Sequence, residues 1–496
     1  MEQPAARAAP LDSDAGAVGF KPIAIFMVVS LALLMSSIDS TVVSVALPTM
    51  MAGLKTNLVW IGWVITAYSL TQTIVLPMAG KFSDEFGRKR LFLGCVALFT
   101  ASSFLCAIAP NVYLLVLFRV LQAAGGGAFM PSAAGIVSDV FGARRRGTAI
   151  GLFTSVFPIG GIIGPALGGW VIDHFGWRAI FAVNLPLGVV LLGVGVFLLP
   201  ATSRSHGGRS IDVVGVSAFG LGMLGLMTAM TIWGNDVHFS SPVAVFALLG
   251  LAILVYFVRH EGRARDPMIA LRLLKERAFF AANLYNFLFG ALVFGFFAFT
   301  PLYATLAYHM SATEAGFVLV PQAVAMIALS ILSSFLLIRI GYRLPMILGI
   351  LLISLGLFLL GQDWHTPVVF GHQVSNLALL AGVVAVTGLG VGIGGPAANN
   401  AAIELMPEAV ARITGLRGMF RNTGGVLGTA MIVLILAHER DQALGLAHVF
   451  RDLGVLVLLV IPPIFLIPDT ARTRRRARRA GTSEVGAAVV EARGRR

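Results

Sequence analysis

A chain of 496 residues that is 57% hydrophobic and only 12% charged, with 56 glycines and a mean hydropathy of +0.88, lies outside the range of soluble globular proteins and inside that of polytopic membrane proteins. The formal charge of +13 does not point to nucleic acid, because the C-terminal run "ARTRRRARRAGTSEVGAAVVEARGRR" supplies nine Arg against two Glu with no interleaved aromatic residues. Cys95 and Cys106 fall in one predicted helix about 16 Å apart, too far for a disulfide and silent on redox compartment.

A bilayer span needs about 20 apolar residues. Fourteen such stretches recur, at 23–48, 58–79, 91–109, 113–137, 148–171, 179–199, 213–233, 242–258, 279–306, 315–338, 345–361, 377–402, 413–437 and 452–468; the eighth is the shortest. The segment before the first carries Asp12 and Asp14 and no cleavage signal, so the first stretch is expected to remain as a span. Lys and Arg crowd the connections on one side, while only Lys55, Arg178, Arg440 and Arg451 fall in those on the other. The positive-inside rule then places both termini in the cytoplasm of a multi-pass cell (inner) membrane protein. The expected division is a cytoplasmic segment 1–22, a six-helix bundle 23–199, two inserted helices with linkers 200–278, a second six-helix bundle 279–468 and a basic tail 469–496. The tail suits anionic lipid headgroups, and 259–278, mixing basic residues with Met268, Ile269, Leu271, Leu273 and Leu274, suits a short interfacial helix.

Internal similarity supports the two bundles. The fifth helix has Gly160, Gly161 and Gly164 where the thirteenth has Gly424, Gly425 and Gly428, an offset of 264 residues, and the fourth aligns Pro131 with Pro396 of the twelfth at 265. The insert then comprises helices seven and eight.

Four motifs stand in order on these helices: "IDSTVVSVALP" in the first, "GKFSDEFGRKR" between the second and third, "RVLQAAGGG" in the fourth and "GIIGPALGG" in the fifth; "WRAIFAVNLPLG" follows at 177–188. Together they resemble major facilitator superfamily transporters of the fourteen-helix drug:proton antiporter type. The resemblance covers nearly the whole chain and implies an all-α major facilitator fold with two six-helix bundles and two extra central helices. It also implies a conformational latch at Gly80, Asp84, Gly87 and Arg88, in which Asp84 engages a helix start in the other half near Gly415. The loop also reads as a topology anchor, and its counterpart "SFLLIRIGYR" keeps Gly341 and Arg343 but has Ile338 where the acid would stand. The antiporter motif implied by the family comprises Gly160, Gly164, Pro165, Gly168 and Gly169, placed between the halves. The residues themselves give a stripe of small side chains, suited equally to tight helix packing.

Charges inside spans are costly and mark function. Asp39 and Arg119 are the two clear cases, each about nine residues, roughly 13 Å, below the same surface, with Gln122 one turn below Arg119. They read either as a structural ion pair or as the proton-coupling site, with Asp39 as carrier and a bound substrate changing the balance between its burial and the Arg119 charge. Glu404, Asp139 and Glu314 fall at helix ends, where acids are ordinarily solvated. Trp63, Tyr68 and Gln72 of the second helix and Asn283, Tyr285 and Asn286 of the ninth are the cavity candidates.

The expected function is proton-coupled export of small amphipathic or lipophilic compounds, with an importer or uniporter of a small metabolite as the alternative. No HExxH, GxSxG or phosphate loop is present, so an enzyme or scaffold is the weaker reading, and no cofactor or metal is expected. The expected partners are a small molecule, protons and membrane lipids, acting on a monomer. With Asp39 the one deep acid, a neutral or singly charged compound fits better than a divalent cation.

Overall fold

The computed structural model describes residues 20–200, 212–236, 240–264, 267, 271, 273–369, 372–405 and 410–469, and the backbone only of 77, 80–81, 84–85, 142–144, 146–148, 154, 273, 338, 368–369, 372, 403 and 410–415. The segment before 20, the tail beyond 469 and the side chain of Asp84 are thus outside the described parts. Among the described residues fourteen helices are long and apolar enough to cross a membrane. These are α1 (Phe20–Gly53), α2 (Leu58–Leu76), α3 (Arg88–Ala107), α4 (Val112–Phe141), α5 (Ala149–Phe175), α6 (Ala179–Leu198) and α7 (Val213–Asn235). Then follow α8 (Ser241–Glu261), α9 (Arg277–Tyr308), α10 (Ala312–Leu337), α11 (Arg343–Leu360), α12 (Asn376–Ala402), α13 (Leu416–His438) and α14 (Gln442–Leu466). The strands among the described residues form one two-residue antiparallel ladder, between Val368–Val369 and His372–Gln373.

Helix starts follow ordinary capping chemistry, in which a side-chain oxygen satisfies an orphan backbone N–H. Asn57, Asn111, Asp212 and Asp441 each accept from the first turn of the following helix, and Ser311 and Glu314 form a reciprocal capping box at α10. One expectation needs correction. The last span begins at Gln442 rather than 452, because His448, Arg451 and Asp452 lower its apolar score while Leu446, Phe450 and Leu453 are buried beneath them. The interfacial helix expected over 259–278 includes 265–266, 268–270 and 272, which lie outside the described residues. Around these, α8 ends at Glu261, capped by Gly262, Pro267 interrupts the chain, and a single 3-10 turn, Leu273–Lys275, precedes α9.

Packing separates the chain into the two expected bundles. In the first, α1 packs on α5, and α3 and α4 pack on each other and on α6 and α2; in the second, α9 packs on α13, and α12 on α10 and α11, with α14 on α11. The halves meet through α5 against α10 and α2 against α13. The inserted α7 and α8 pack on each other, with α7 also against α2 and α13, so the insert lies at one seam rather than between the bundles. Asn57 donates to Asn235, and Trp63 Nε1 to Thr231 Oγ1 at 2.7 Å, tying α2 to α7.

The repeat extends to individual contacts. A Cβ on Gly125 of α4 would meet Cys95 and Phe99 of α3, and one on Gly390, 265 residues later, would meet Gly349 and Ile353 of α11. Gly87 and Gly341 both turn the chain at positive φ, 89° and 80°, which disfavours a side chain. Each is followed by the same pair of staples. Arg88 donates to the Gly135 carbonyl and to Asp139, as Tyr342 Oη donates to Glu404 at 2.6 Å. Lys89 donates to the carbonyls of Val196 and Leu199 at the end of α6, as Arg343 does to those of Phe465 and Ile467 at the end of α14. A cation satisfying the last carbonyls of a helix is favoured by the helix dipole. Half of "GRKR" therefore holds its own bundle together.

Candidate functional site

Packing of α1 beside α4 and α6 brings Asp39 of α1 and Arg119 of α4 into one closed cluster. Arg119 Nη1 donates to Asp39 Oδ2 at 2.6 Å and to Gln122 Oε1 at 2.6 Å, while Gln122 Nε2 donates to Asp39 Oδ1 at 2.9 Å. Asn184 of α6 donates to the same Oδ1 at 3.1 Å, and Ser103 of α3 accepts from Gln122 at 2.7 Å. The Arg119 guanidinium lies 3.8 Å over the Tyr68 ring, and its Nε donates to the Val64 carbonyl. Asp39 and Arg119 are each 1% exposed. A buried ion pair is tolerable only when its remaining donors and acceptors are met; here both Asp39 oxygens and the Arg119 Nε and Nη1 are hydrogen-bonded.

In this state the carboxylate serves only as an acceptor, of three donors from α4 and α6. A proton on Asp39 would place an O–H among those donors, so protonation requires the cluster to rearrange. Asn184 and Ser103 are not singled out by the sequence reading. The available signal is the Asn inside the otherwise apolar "FAVNLPLG" at 181–188, a polar residue that a span tolerates only with a partner.

The glycine stripe of α5 does not lie between the halves as expected. A Cβ on Gly160 would strike Ser37, one on Gly164 Thr41, and one on Gly168 Val42, all on α1 of the same bundle. Helix geometry explains the split: positions four apart share one face, and the neighbouring face, one residue on, looks elsewhere. That second face carries Pro165, whose carbonyl lies under Gly316, and Gly169, which lies against Ala312 and Thr313, all on α10 of the other half. At the end of α5, Asp173 accepts from the backbone N–H of Ala312 (3.2 Å) and Thr313 (2.8 Å) and from Thr313 Oγ1 (2.5 Å). Asp173 thus clasps a helix start across the interface at the α1–α2 end of the molecule. For the latch motif at the opposite end, Leu76 of α2 lies near Gly418 of α13, and Gly87 and Arg88 act within the first half.

The cavity candidates scatter. Trp63 bonds to the inserted α7 and lines a small cavity with Met227, Thr231 and Ala430, between α2, α7 and α13; Tyr68 belongs to the Arg119 cluster, and Gln72 packs its backbone and stem on Gly127. Tyr285 is buried and stacks on Phe289 at 5.9 Å. Asn283 and Asn286 bond back to Phe279 and Ala282 through their amide nitrogens, and Asn286 Oδ1 accepts from Arg417 at 3.4 Å. Arg417 and Arg421 of α13 are two further intramembrane charges that the sequence reading passes over. The acids Asp139, Glu404 and Glu314 are engaged at helix ends, with Arg88, Tyr342 and the Ser311 backbone N–H. Among the described residues no group of three or more His, Cys, Asp or Glu could hold a metal.

The family model described as Major Facilitator Superfamily matches residues 29–429 and again 282–494. The chain belongs to the Major Facilitator Superfamily. Its similarity to other members of that superfamily runs along most of its length. It is 33% identical over 419 residues to "Multidrug resistance protein B homolog" of Mycobacterium tuberculosis (strain ATCC 25618 / H37Rv), covering 83% of this chain and 76% of the relative. It is 30% identical over 411 residues to "Multidrug transporter protein MdtP" of Bacillus subtilis (strain 168), covering 82% and 74%. "Riboflavin transporter RibZ" of Clostridioides difficile (strain 630) is 29% identical, with 84% and 88% covered. A solved structure titled "Structural insights into substrate recognition in proton dependent oligopeptide transporters" superimposes with a TM-score of 0.61 at 17% identity, over 91% of this chain and 99% of that one. The superfamily fold, multi-pass and all-α, is therefore shown, and the family is one of transporters.

Proposed function

We propose that this transporter exports small amphipathic or lipophilic compounds across the cell membrane in exchange for protons, by alternating access of two six-helix halves and without catalysis of its own. The observation that carries the reading is the sealed cluster of Asp39, Arg119, Gln122 and Asn184: a titratable group inside the membrane, whose protonation must move side chains on three helices. Relatives named for multidrug transport and for multidrug resistance support the substrate class. With both termini in the cytoplasm, the Asp173 clasp lies at the outer end, and the described form is the one shut toward the outside. The relative named a riboflavin transporter supports a second reading, movement of a single metabolite.

The test is uphill export in proteoliposomes under an imposed pH gradient. Asp39→Asn keeps the shape and loses the titration, and is expected to abolish accumulation against a gradient while substrate counterflow persists. Undiminished uphill export by the variant would remove Asp39 from coupling. Counterflow without any pH-driven accumulation in the unaltered protein would favour the single-metabolite uniporter.

A further inference from the structure

Arg417 and Arg421 stand one turn apart on α13, inside the apolar span, and neither forms an ion pair among the described residues. Arg417 is fixed in place. It donates to Asn399 Oδ1 of α12 and to Asn286 Oδ1 of α9, and its buried Nε has no hydrogen-bond partner among the described residues. The Arg421 side chain is exposed rather than packed. Its guanidinium lies 5.0 Å over the Phe294 ring, and its carbonyl lies against Gly290.

Both contacts fall in the one π-helical turn of the described chain, Gly290–Phe294, which widens α9 where Arg421 meets it. A bare cation inside a span is costly unless a water-filled cavity hydrates it or a ligand neutralises it. In the other half the buried Asp39 carboxylate is already spent on Arg119, Gln122 and Asn184. Among the described side chains neither guanidinium has a carboxylate partner, and two like charges side by side disfavour a cationic cargo.

We propose that Arg417 and Arg421 form an anion-binding subsite of the transport pathway, which takes the carboxylate, sulfonate or phosphate of an amphipathic compound while Phe294 takes its aromatic part. This rests on the export reading and narrows it to organic anions. Guanidinium groups suit such oxyanions because their N–H donors form a planar fork, and an Arg already held by two amides loses little freedom on binding. Arg421 makes the contact, and Arg417 supplies the second charge from a fixed position.

The experiment is equilibrium binding to the full chain in phosphatidylcholine nanodiscs, using a naphthyl carboxylate, the matching carboxamide and the matching alkylammonium. The carboxylate is expected to bind about tenfold or more tighter than the carboxamide. Arg421→Gln should bring it to the carboxamide's affinity without changing the carboxamide, and Arg421→Lys should restore part of the difference. Equal binding of all three ligands, tightest binding of the alkylammonium, or an equal loss for all three in Arg421→Gln would overturn the proposal. It falls too if the carboxylate fails to bind while Arg421→Gln alone releases co-purified phosphatidylglycerol, since the subsite then holds a lipid headgroup. Uphill export of the alkylammonium with no anion preference would sink the subsite and leave the export reading standing. Selective carboxylate binding with no pH-driven movement of any compound would do the reverse.

Discussion

Asp173→Ala removes the clasp that α5 places on the start of α10, and the size of its effect follows from the bonds that the carboxylate makes there. Three hydrogen bonds, from Ala312 N–H, Thr313 N–H and Thr313 Oγ1, disappear together with a negative charge at a helix start. The site is exposed, so water replaces most of the hydrogen bonding. What remains is a charge–dipole contribution of about 0.3–1 kcal/mol and a residue of roughly 1 kcal/mol from the bonds. The sum, about 1–2 kcal/mol, shifts a two-state ratio by roughly 5–30-fold. Helix α10 keeps its own Ser311–Glu314 capping box, so the change acts on the interface rather than on folding.

Spin labels at Phe175→Cys and Trp364→Cys, both exposed near that end and on opposite halves, report the separation directly in a background lacking Cys95 and Cys106. The unaltered protein is expected to favour the shorter distance. Asp173→Ala should raise the ratio of long to short by that factor, and Asp173→Asn, which retains one acceptor oxygen, by less. A ratio unchanged within twofold, in a variant that still binds substrate, would refute the clasp.

Three other perturbations separate structure from coupling. Arg119→Ala leaves Asp39 buried without its counter-charge and should cost about 3–5 kcal/mol, seen as a lowered unfolding temperature in detergent. Asp39→Asn combined with Arg119→Gln should recover the temperature but not uphill export. Gly164→Leu drives a side chain into Thr41 and Ile38 and should abolish transport, whereas Gly161→Ala, which faces open space, should leave export rates within about twofold. Asp84→Asn should shift the same spin-label distances opposite to Asp173→Ala, with the double variant near the unaltered protein; additive shifts in one direction would show that the two ends do not oppose each other.

Apolar run length makes the fourteen spans legible, because a bilayer imposes one dimension on every helix. Where polar residues sit on a helix that still buries its other face, as at Arg451 and Asp452, hydropathy places the boundary about ten residues late. Asp39 and Arg119 stand out because charge in lipid is conspicuous and helix rise fixes depth. Asn184 and Ser103 do not, since a single neutral polar residue gives little contrast in sequence. Arg417 and Arg421 stay hidden for another reason: they lie near the basic end of a span, where Lys and Arg are expected as topology signals. Asp173 looks like an ordinary helix-end acid, and only the three-dimensional closure of α5 on α10 distinguishes it.

The split between the two faces of α5 links the buried carboxylate to the interface. Thr41 and Val42 follow Asp39 on α1 by two and three residues and press on Gly164 and Gly168. With no side chains on those glycines, the Thr41 and Val42 side chains rest directly on the α5 backbone, and α1 cannot shift without carrying α5 or opening a void. The neighbouring face of α5 makes equally close contact with α10 through Pro165 and Gly169, and ends in the Asp173 clasp. A rearrangement at Asp39 large enough to release Asn184 or Gln122 therefore has a stiff route to α10 about two helices away, since close-packed contacts transmit displacement rather than absorb it. Flexible side chains at Gly164 and Gly168 would decouple that route even where the bundle still assembled, which is the physical content of small residues at these positions.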